Sequence, residues 1–262
     1  MNVTQEERRR WLIRALLDEQ PERYAGVEIP IDEGRQRRLL RALFNLRPAM
    51  PAPEALLRVQ DAYLSEVRKQ RGMTEVDSIA PLRGGFGLWR GDITTLRCDG
   101  IVNAANSALL GCFCPNHGCI DNAIPTDAGI QLRLACKEIM DAQGHAEAAG
   151  RAKCTPGFNL PARHVLHTVG PIVQGSPTWR DAELLASCYR ACLDLADEQG
   201  LRSLAFCCIS TGEFHFPNDA ASRIAVETVR AHAAVRRERI RVIFNVFTEQ
   251  DELLYRRRLR AD

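Results

Sequence analysis

Several common sequence signals are missing from this chain. It contains no run of about 18 apolar residues, so no segment is long enough to cross a bilayer. The N-terminal stretch MNVTQEERRRW lacks the apolar core of a signal peptide. We therefore expect a cytoplasmic protein without a membrane partner.

A strong excess of charge of one sign is also missing. The 35 Lys and Arg residues are nearly balanced by 33 Asp and Glu residues, which gives a formal net charge of +2. Because acidic and basic side chains are interspersed, the sequence indicates no surface that would attract a polyanion, and nucleic acid is not an expected partner. Hydrophobic residues make up 45% of the chain, which is enough for a globular core.

Residues 1–75 are predicted to form a helical N-terminal extension. The sequence TQEE near the start is a capping box, in which Thr4 and Glu7 cap the first helix. Asp32 can cap a second helix, and Pro53 suits the beginning of a third. The extension contains no cluster of chemically reactive side chains, so we expect it to pack on the neighbouring domain.

Residues 76–262 alternate between short apolar runs and helix patterns. The runs SLAFCCIS and IRVIFNVF are continuously apolar, which is typical of strands buried on both faces of a sheet. One helix is predicted over residues 126–144, ending at a glycine cap. Strands that alternate with helices predict a three-layer α/β/α domain with a mostly parallel sheet.

Polar loops follow three of the predicted strands, at the edge where open α/β sheets bind ligands. Asp92 in the first loop could accept a hydrogen bond from an exocyclic amine. It could also cap the next turn, which is the better interpretation of that residue alone. In the second loop, Asn103 and Asn106 flank two alanines, so both amides are available to a ligand or to the loop backbone.

The third loop, CISTGEFHFP, has the small residues of an anion-binding turn. Ser210, Thr211 and Gly212 can present successive backbone N–H groups to a phosphate. Phe214 could line the pocket or simply pack. The sequence Gly-Lys-Ser/Thr does not occur in this loop, which favours a diphosphate over a triphosphate.

The second loop continues into the cysteine-rich stretch GCFCPNHGCIDN, residues 111–122. In a reducing compartment the ten cysteines are expected as thiols or metal ligands rather than disulfides. Cys112, His117 and Cys119 form a Cys-x4-His-x-Cys pattern, and three such ligands would leave a fourth zinc position open to water or substrate. Cys114 could fill that position and make the metal structural, although the proline after it restricts its backbone. Free thiols without a metal are the remaining alternative.

These loops together resemble the sequence signature of the macrodomain, a fold that binds ADP-ribose. GDITTLRCDGIVNAAN and ISTGEFHFP resemble its two most diagnostic segments. GCFCPNHGCIDNAI resembles the insertion that marks the zinc-dependent macrodomains, microbial enzymes that remove ADP-ribose from proteins and carry a helical N-terminal extension. The resemblance covers nearly the whole chain and implies an α/β/α macrodomain with a mixed, mostly parallel sheet.

The resemblance also implies a role for each loop. Asp92 would bind the adenine amine, and Asn106 would face the distal ribose. A zinc ion would be held by Cys112, His117 and Cys119. The full set assigned to ligand binding is Asp92, Ile93, Asn103, Asn106, Ser210, Thr211, Gly212, Glu213 and Phe214.

Asn106 and Asp121 are the residues assigned to catalysis. Asp121 could support His117 or act as a general base, but a carboxylate that caps the following helix is an equally good interpretation. Where members of the family often have a histidine, this chain has Pro125, a departure that could alter the pocket wall or the target preference.

The expected function is zinc-dependent hydrolysis at the anomeric carbon of the distal ribose, which would release ADP-ribose from a mono-ADP-ribosylated protein. Two alternatives share the same pocket: a module that binds ADP-ribose without cleaving it, and a hydrolase of small esters such as O-acetyl-ADP-ribose. Because some family members are tied to an ADP-ribosylating sirtuin, such an enzyme is a candidate functional partner.

Overall fold

The computed structural model describes residues 3–235 and 240–260, so the outermost ends of the two predicted regions lie outside the described residues. The helices are α1 Gln5–Asp18, α2 Glu33–Leu46, α3 Glu54–Arg71, α4 Ile120–Ala128, α5 Ile130–Gln143, α6 Trp179–Glu198, α7 Asn218–Val235 and α8 Glu249–Arg260. The strands are β1 Thr74–Glu75, β2 Gly87–Arg90, β3 Leu96–Arg97, β4 Gly100–Ala104, β5 Ala152–Pro156, β6 His164–Thr168, β7 Ser203–Phe206 and β8 Arg241–Val246. None of the helices in these ranges is long and apolar enough to cross a membrane.

Six of the strands form the central sheet, in the order β2-β8-β7-β4-β6-β5. Neighbouring strands are parallel except for β5, which runs antiparallel to β6 at one edge. Helices α6, α7 and α8 pack side by side, while α4 packs on β4 and α5 on β5. The predicted three-layer α/β/α domain with a mixed, mostly parallel sheet is confirmed. Strand β5 has no counterpart among the predicted strands, because its five residues, AKCTP, show no continuous apolar run.

Helices α1 to α3 form the N-terminal extension. The capping box is present: Thr4 Oγ1 accepts from the N–H of Glu7 at 3.2 Å, and Glu7 Oε2 accepts from the N–H of Thr4 at 2.7 Å. Asp32 caps α2 by accepting from the N–H of Arg35 at 2.8 Å. The three helices bury an apolar cluster of their own, which Ile130 at the start of α5 joins. The extension therefore packs against the helices that follow the cysteine-rich stretch.

The single helix predicted over residues 126–144 is divided in two. Helix α4 ends before Gly129 and α5 begins after it, because Gly129 has a φ of 95° and cannot continue a helix. The surroundings of Gly129 also exclude a side chain. An added Cβ would lie 2.6 Å from Nε2 of Gln60 and 3.0 Å from Nδ2 of Asn159. The cap at Gly144 is as predicted, with a left-handed backbone.

We expect Gly129→Ala to destabilise the protein more than Gly144→Ala. A positive φ costs an alanine on the order of 1–2 kcal/mol at either position, but only at residue 129 would the new methyl group also collide with neighbouring side chains. The free energy of unfolding, measured by urea denaturation, should fall by about 1–3 kcal/mol more for Gly129→Ala. Equal losses in the two variants would contradict the close packing around Gly129.

Candidate active site at the carboxyl edge of the sheet

The three predicted polar loops meet at one edge of the sheet. Asp92 follows β2, Asn106 follows β4 and Ser210 follows β7, and these three strands run in the same direction. The loop after β6 borders the third of them, since the N–H of Val173 donates to the carbonyl of Phe214 at 2.9 Å. The fold thus brings the predicted ligand-binding loops to the edge where open α/β sheets bind ligands.

Asp92 caps the short turn at Ile93–Thr95, in line with the simpler interpretation of this residue. Its Oδ1 accepts from the backbone N–H of Thr94 at 3.0 Å and from the hydroxyl of Thr94 at 2.7 Å. Its Oδ2 lies 3.7 Å from Nη1 of Arg71, and the side chain of Asp92 is still 45% exposed. Because both hydrogen bonds to Thr94 use Oδ1, Oδ2 keeps acceptor capacity for a ligand. Ile93 is buried in the core, so only its backbone could contact one.

The buried carboxylate of Asp121 joins the two asparagines of the second loop. Its Oδ1 accepts from Nδ2 of Asn103 at 2.8 Å, and its Oδ2 accepts from Nδ2 of Asn106 at 3.0 Å. Burial raises the pKa of Asp121 to about 6, against the opposing effect of these hydrogen bonds. The carboxylate therefore accepts from two amides, and among the described residues no hydrogen bond joins it to His117 or caps the start of α4. Its assignment to catalysis stays a prediction.

Asn106 has little hydrogen-bonding capacity left for a ligand. Its Nδ2 donates to the carbonyl of Gly111 at 3.0 Å as well as to Asp121, and its Oδ1 accepts from the N–H of Ala108 at 3.0 Å. Both amide protons are thus used within the loop, and a ribose hydroxyl could donate only to the remaining lone pair of Oδ1. Asn103 is 1% exposed and its Nδ2 donates to Asp121, so it supports the loop from inside, and its assignment to ligand binding stays a prediction.

The third loop has unused hydrogen-bond donors. Ser210 has a φ of 65°, and its hydroxyl is buried without a hydrogen-bond partner among the described residues. Gly170 makes room for that hydroxyl, because an added Cβ at Gly170 would lie 2.0 Å from Oγ of Ser210. In the described part of the chain, no hydrogen bond engages the backbone N–H groups of Thr211, Gly212 or Glu213. Three backbone donors and one hydroxyl in a row suit a diphosphate.

Cys112, His117 and Cys119 come together as a group that could hold a metal ion. Their ligand atoms all lie within 4.8 Å of one another, and Sγ of Cys112 is 3.6 Å from Nδ1 of His117. Burial, and then the neighbouring Cys112 thiol, raises the pKa of Cys119 to about 12. Two sulfurs and an imidazole nitrogen are a ligand set that suits zinc, so the residues present fit the predicted metal. Cys114 is exposed and joins no such group within the described residues, so three candidate ligands converge rather than four.

Glu213 links the third loop to this metal group. Its Oε1 lies 3.4 Å from Nε2 of His117, the ring nitrogen opposite the one near Cys112. A carboxylate in this position fixes the ring orientation of a histidine ligand and favours the tautomer whose Nδ1 is free to bind a metal. Glu213 is therefore the carboxylate that lies beside His117, a position for which the sequence made Asp121 a candidate.

Pro125 lies inside α4, and its missing N–H explains a hydrogen bond that holds the cysteine-rich stretch, residues 111–122, which is called the metal loop below. In an uninterrupted helix the N–H of residue 125 would bind the carbonyl of Asp121. That carbonyl instead accepts from the N–H of Cys112 at 2.8 Å. Gly111 permits this approach, since an added Cβ there would lie 3.2 Å from Cγ of Pro125. The departure at Pro125 thus shapes the loop that carries the first of the three converging residues.

Two residues that support the site give no recognisable signal in the sequence. Arg41 in α2 donates to Oδ1 of Asn122 and to the carbonyl of His117. An arginine on a charged helix is usually solvated, so Arg41 does not stand out. Asn122 follows Asp121 in a pair of polar residues, and nothing in that pair indicates a structural role for its amide. Only the tertiary structure shows that they meet at the metal loop.

Comparison with known proteins assigns this chain to a family. Residues 102–225 match the Macro domain family. The chain is 53% identical over 257 residues to the protein-ADP-ribose hydrolase of Treponema medium, covering 97% of this chain and 98% of that protein. It is 49% identical over 226 residues to a protein-ADP-ribose hydrolase of Staphylococcus aureus strain MRSA252, covering 86% and 85% of the two chains.

Comparison with solved structures finds the same fold. The crystal structure of the Trypanosoma brucei macrodomain in complex with ADP-ribose matches with a TM-score of 0.64 and 29% identity, over 86% of this chain and 95% of that one. The central sheet, the three loops at its carboxyl edge and the identity over nearly the full chain lead to one conclusion. This chain belongs to the macro domain family, and it is similar over nearly its full length to a protein-ADP-ribose hydrolase.

Proposed function

We propose that this protein is a zinc-dependent hydrolase that removes ADP-ribose from mono-ADP-ribosylated proteins by cleavage at the anomeric carbon of the distal ribose. The convergence of Cys112, His117 and Cys119 next to the third loop carries this proposal. A protein that only bound ADP-ribose would have no need of three metal ligands that leave a fourth position open. The activity for which the Treponema and Staphylococcus relatives are named supports the same substrate class.

Binding would use the loops that follow β2, at one end of the sheet, and β7 and β4, in its middle. Oδ2 of Asp92, on a side chain that is 45% exposed, would accept from the adenine amine. The backbone N–H groups of Thr211, Gly212 and Glu213, with the hydroxyl of Ser210, would donate to the diphosphate. The distal ribose would then lie toward the metal group, since Glu213 of the diphosphate loop is in contact with His117.

The chemistry would take place beyond the diphosphate. A zinc ion held by Cys112, His117 and Cys119 would supply a Lewis acid with one open coordination position. Asn106 would accept from a ribose hydroxyl through Oδ1, in an orientation that Asp121 fixes. Water would add to the anomeric carbon as the bond to the modified side chain breaks. ADP-ribose would leave with a new hydroxyl, and the side chain of the target would take the proton.

Cys112→Ala is expected to remove zinc binding and to lower hydrolysis at least about a hundredfold, because Lewis-acid stabilisation by a metal is worth several kcal/mol. Cys114→Ala is the matched control, since this exposed thiol lies outside the metal group, and it should change neither property. The measurements are metal content and the release of ADP-ribose from a mono-ADP-ribosylated protein. Full hydrolysis by metal-free Cys112→Ala would contradict the proposal, and release from small esters alone would favour the ester hydrolase.

Asp92→Ala should weaken ADP-ribose binding about tenfold or more, the effect of losing one hydrogen bond to a charged group. Its zinc content should stay that of the unaltered protein, because Asp92 contacts Thr94 and Arg71 rather than the metal group. Asp92→Asn keeps an oxygen that can accept from Thr94. This variant therefore distinguishes a loss of affinity caused by the missing cap of the turn from one caused by the missing contact with the ligand. Calorimetric titration with ADP-ribose checks this, and unchanged affinity in Asp92→Ala would rule out the adenine contact.

A further inference from the structure

Asn122, a fully buried residue in the first turn of α4, holds the backbone of the metal loop. Its Nδ2 donates to the carbonyl of Cys114 at 2.9 Å and lies 3.4 Å from the carbonyl of Cys112. Its backbone N–H donates to the carbonyl of Cys119 at 3.1 Å. One residue therefore fixes the chain at two of the three predicted ligands.

Arg41 reaches the same point from the N-terminal extension. Its Nη2 and Nε donate to Oδ1 of Asn122 at 2.8 and 3.2 Å, and Nη2 also donates to the carbonyl of His117 at 3.0 Å. Because the guanidinium occupies Oδ1, the amide of Asn122 must direct Nδ2 toward the carbonyls of the loop. Arg41 thus sets the orientation of Asn122 and holds the backbone of the third ligand directly.

Asn45, one turn further along α2, makes a second contact with the same loop. Its Oδ1 accepts from the N–H of Asn116 at 2.9 Å, and its Nδ2 donates to Oγ1 of Thr126 at 2.9 Å. Asn116 has a φ of 56°, so the chain turns sharply just before His117. Helix α2 therefore holds the loop at two points on either side of this turn.

We propose that Arg41 is a positioning residue of the metal site, through which the helical extension is required for metal binding. The inference rests on the proposed zinc-dependent function and adds to it a residue outside the macrodomain signature. Arg41 acts on the ligands through Asn122 and through the carbonyl of His117, not by contact with the metal. Its planar fork of donors can hold both acceptors at once, whereas a lysine ammonium on a flexible stem cannot fix them in the same way.

The test compares metal affinity in three variants of the full-length protein. Arg41→Ala should weaken Zn²⁺ binding by about ten- to a hundredfold, the usual effect of removing a group that orients a ligand. Arg41→Lys should lie between Arg41→Ala and the unaltered protein. Arg38→Ala removes the same charge from an exposed position of α2 and should have no effect. Affinity is measured by competition with a chromophoric chelator, and the visible spectrum of the Co²⁺-loaded protein reports the ligand geometry.

Binding of ADP, measured by calorimetry on the same samples, separates a positioning role from a general loss of structure. The inference predicts that Arg41→Ala binds ADP as the unaltered protein does. Loss of ADP binding together with metal binding would overturn the specific role of Arg41. Unchanged Zn²⁺ affinity and Co²⁺ spectrum in Arg41→Ala would overturn this inference alone. Failure of the unaltered protein to bind Zn²⁺ would overturn the proposed function as well.

Discussion

The hydrogen bonds from Asn103 and Asn106 to the carboxylate of Asp121 are the contact on which the site depends. Asn103 belongs to β4, Asn106 to the loop after it and Asp121 to the first turn of α4. The chain leaves the sheet before Asn106, runs through the metal loop and enters α4 after Cys119, so this one carboxylate connects the start of that segment to its end. Burial of the carboxyl group raises its pKa to about 6, and the two amide donors and the charge of Arg133 oppose that shift. A buried acid is retained here because the amides and a nearby cation compensate for its desolvation.

The buried cation of Arg133 ties the same region to the N-terminal extension. Its Nε donates to the carbonyl of Leu110 at 2.7 Å, and its Nη1 donates to the carbonyls of Phe44 and Arg47 at the end of α2. The guanidinium also stacks over the ring of Phe113 at 4.3 Å. Burial lowers the pKa of Arg133 to about 10, which still leaves it charged at neutral pH. Loop and extension are thus held by the same cation, so the extension does more than cover a neighbouring domain.

The sequence predicts the parts of this site that local chemistry determines. Polar loops after buried strands identify the carboxyl edge, and the spacing of Cys112, His117 and Cys119 predicts a group that the structure does bring together. The cap at Thr4 and the glycine end of α5 follow from propensities that act within one turn. These features depend only on residues that are close together in the sequence.

The parts that could not be predicted depend on contacts between distant segments. Arg41 and Asn122 are 81 residues apart, and nothing in either sequence window indicates that they meet. Glu213 lies in the predicted diphosphate loop, but its carboxylate contacts His117. Gly129 interrupts a continuous helix pattern with a φ of 95°, and Gln60 of the extension leaves no room for a side chain at that position. The effect of Pro125 is similar: its missing N–H matters only because Cys112 lies close enough to use the carbonyl of Asp121.

The most direct measurement is the rate at which the full-length protein releases ADP-ribose from a mono-ADP-ribosylated protein before metal removal, after metal removal and after return of Zn²⁺. We expect about one zinc per chain in the active protein, loss of release when a chelator removes the zinc, and recovery when Zn²⁺ is returned. Release at an undiminished rate by the metal-free protein would contradict the proposed zinc dependence.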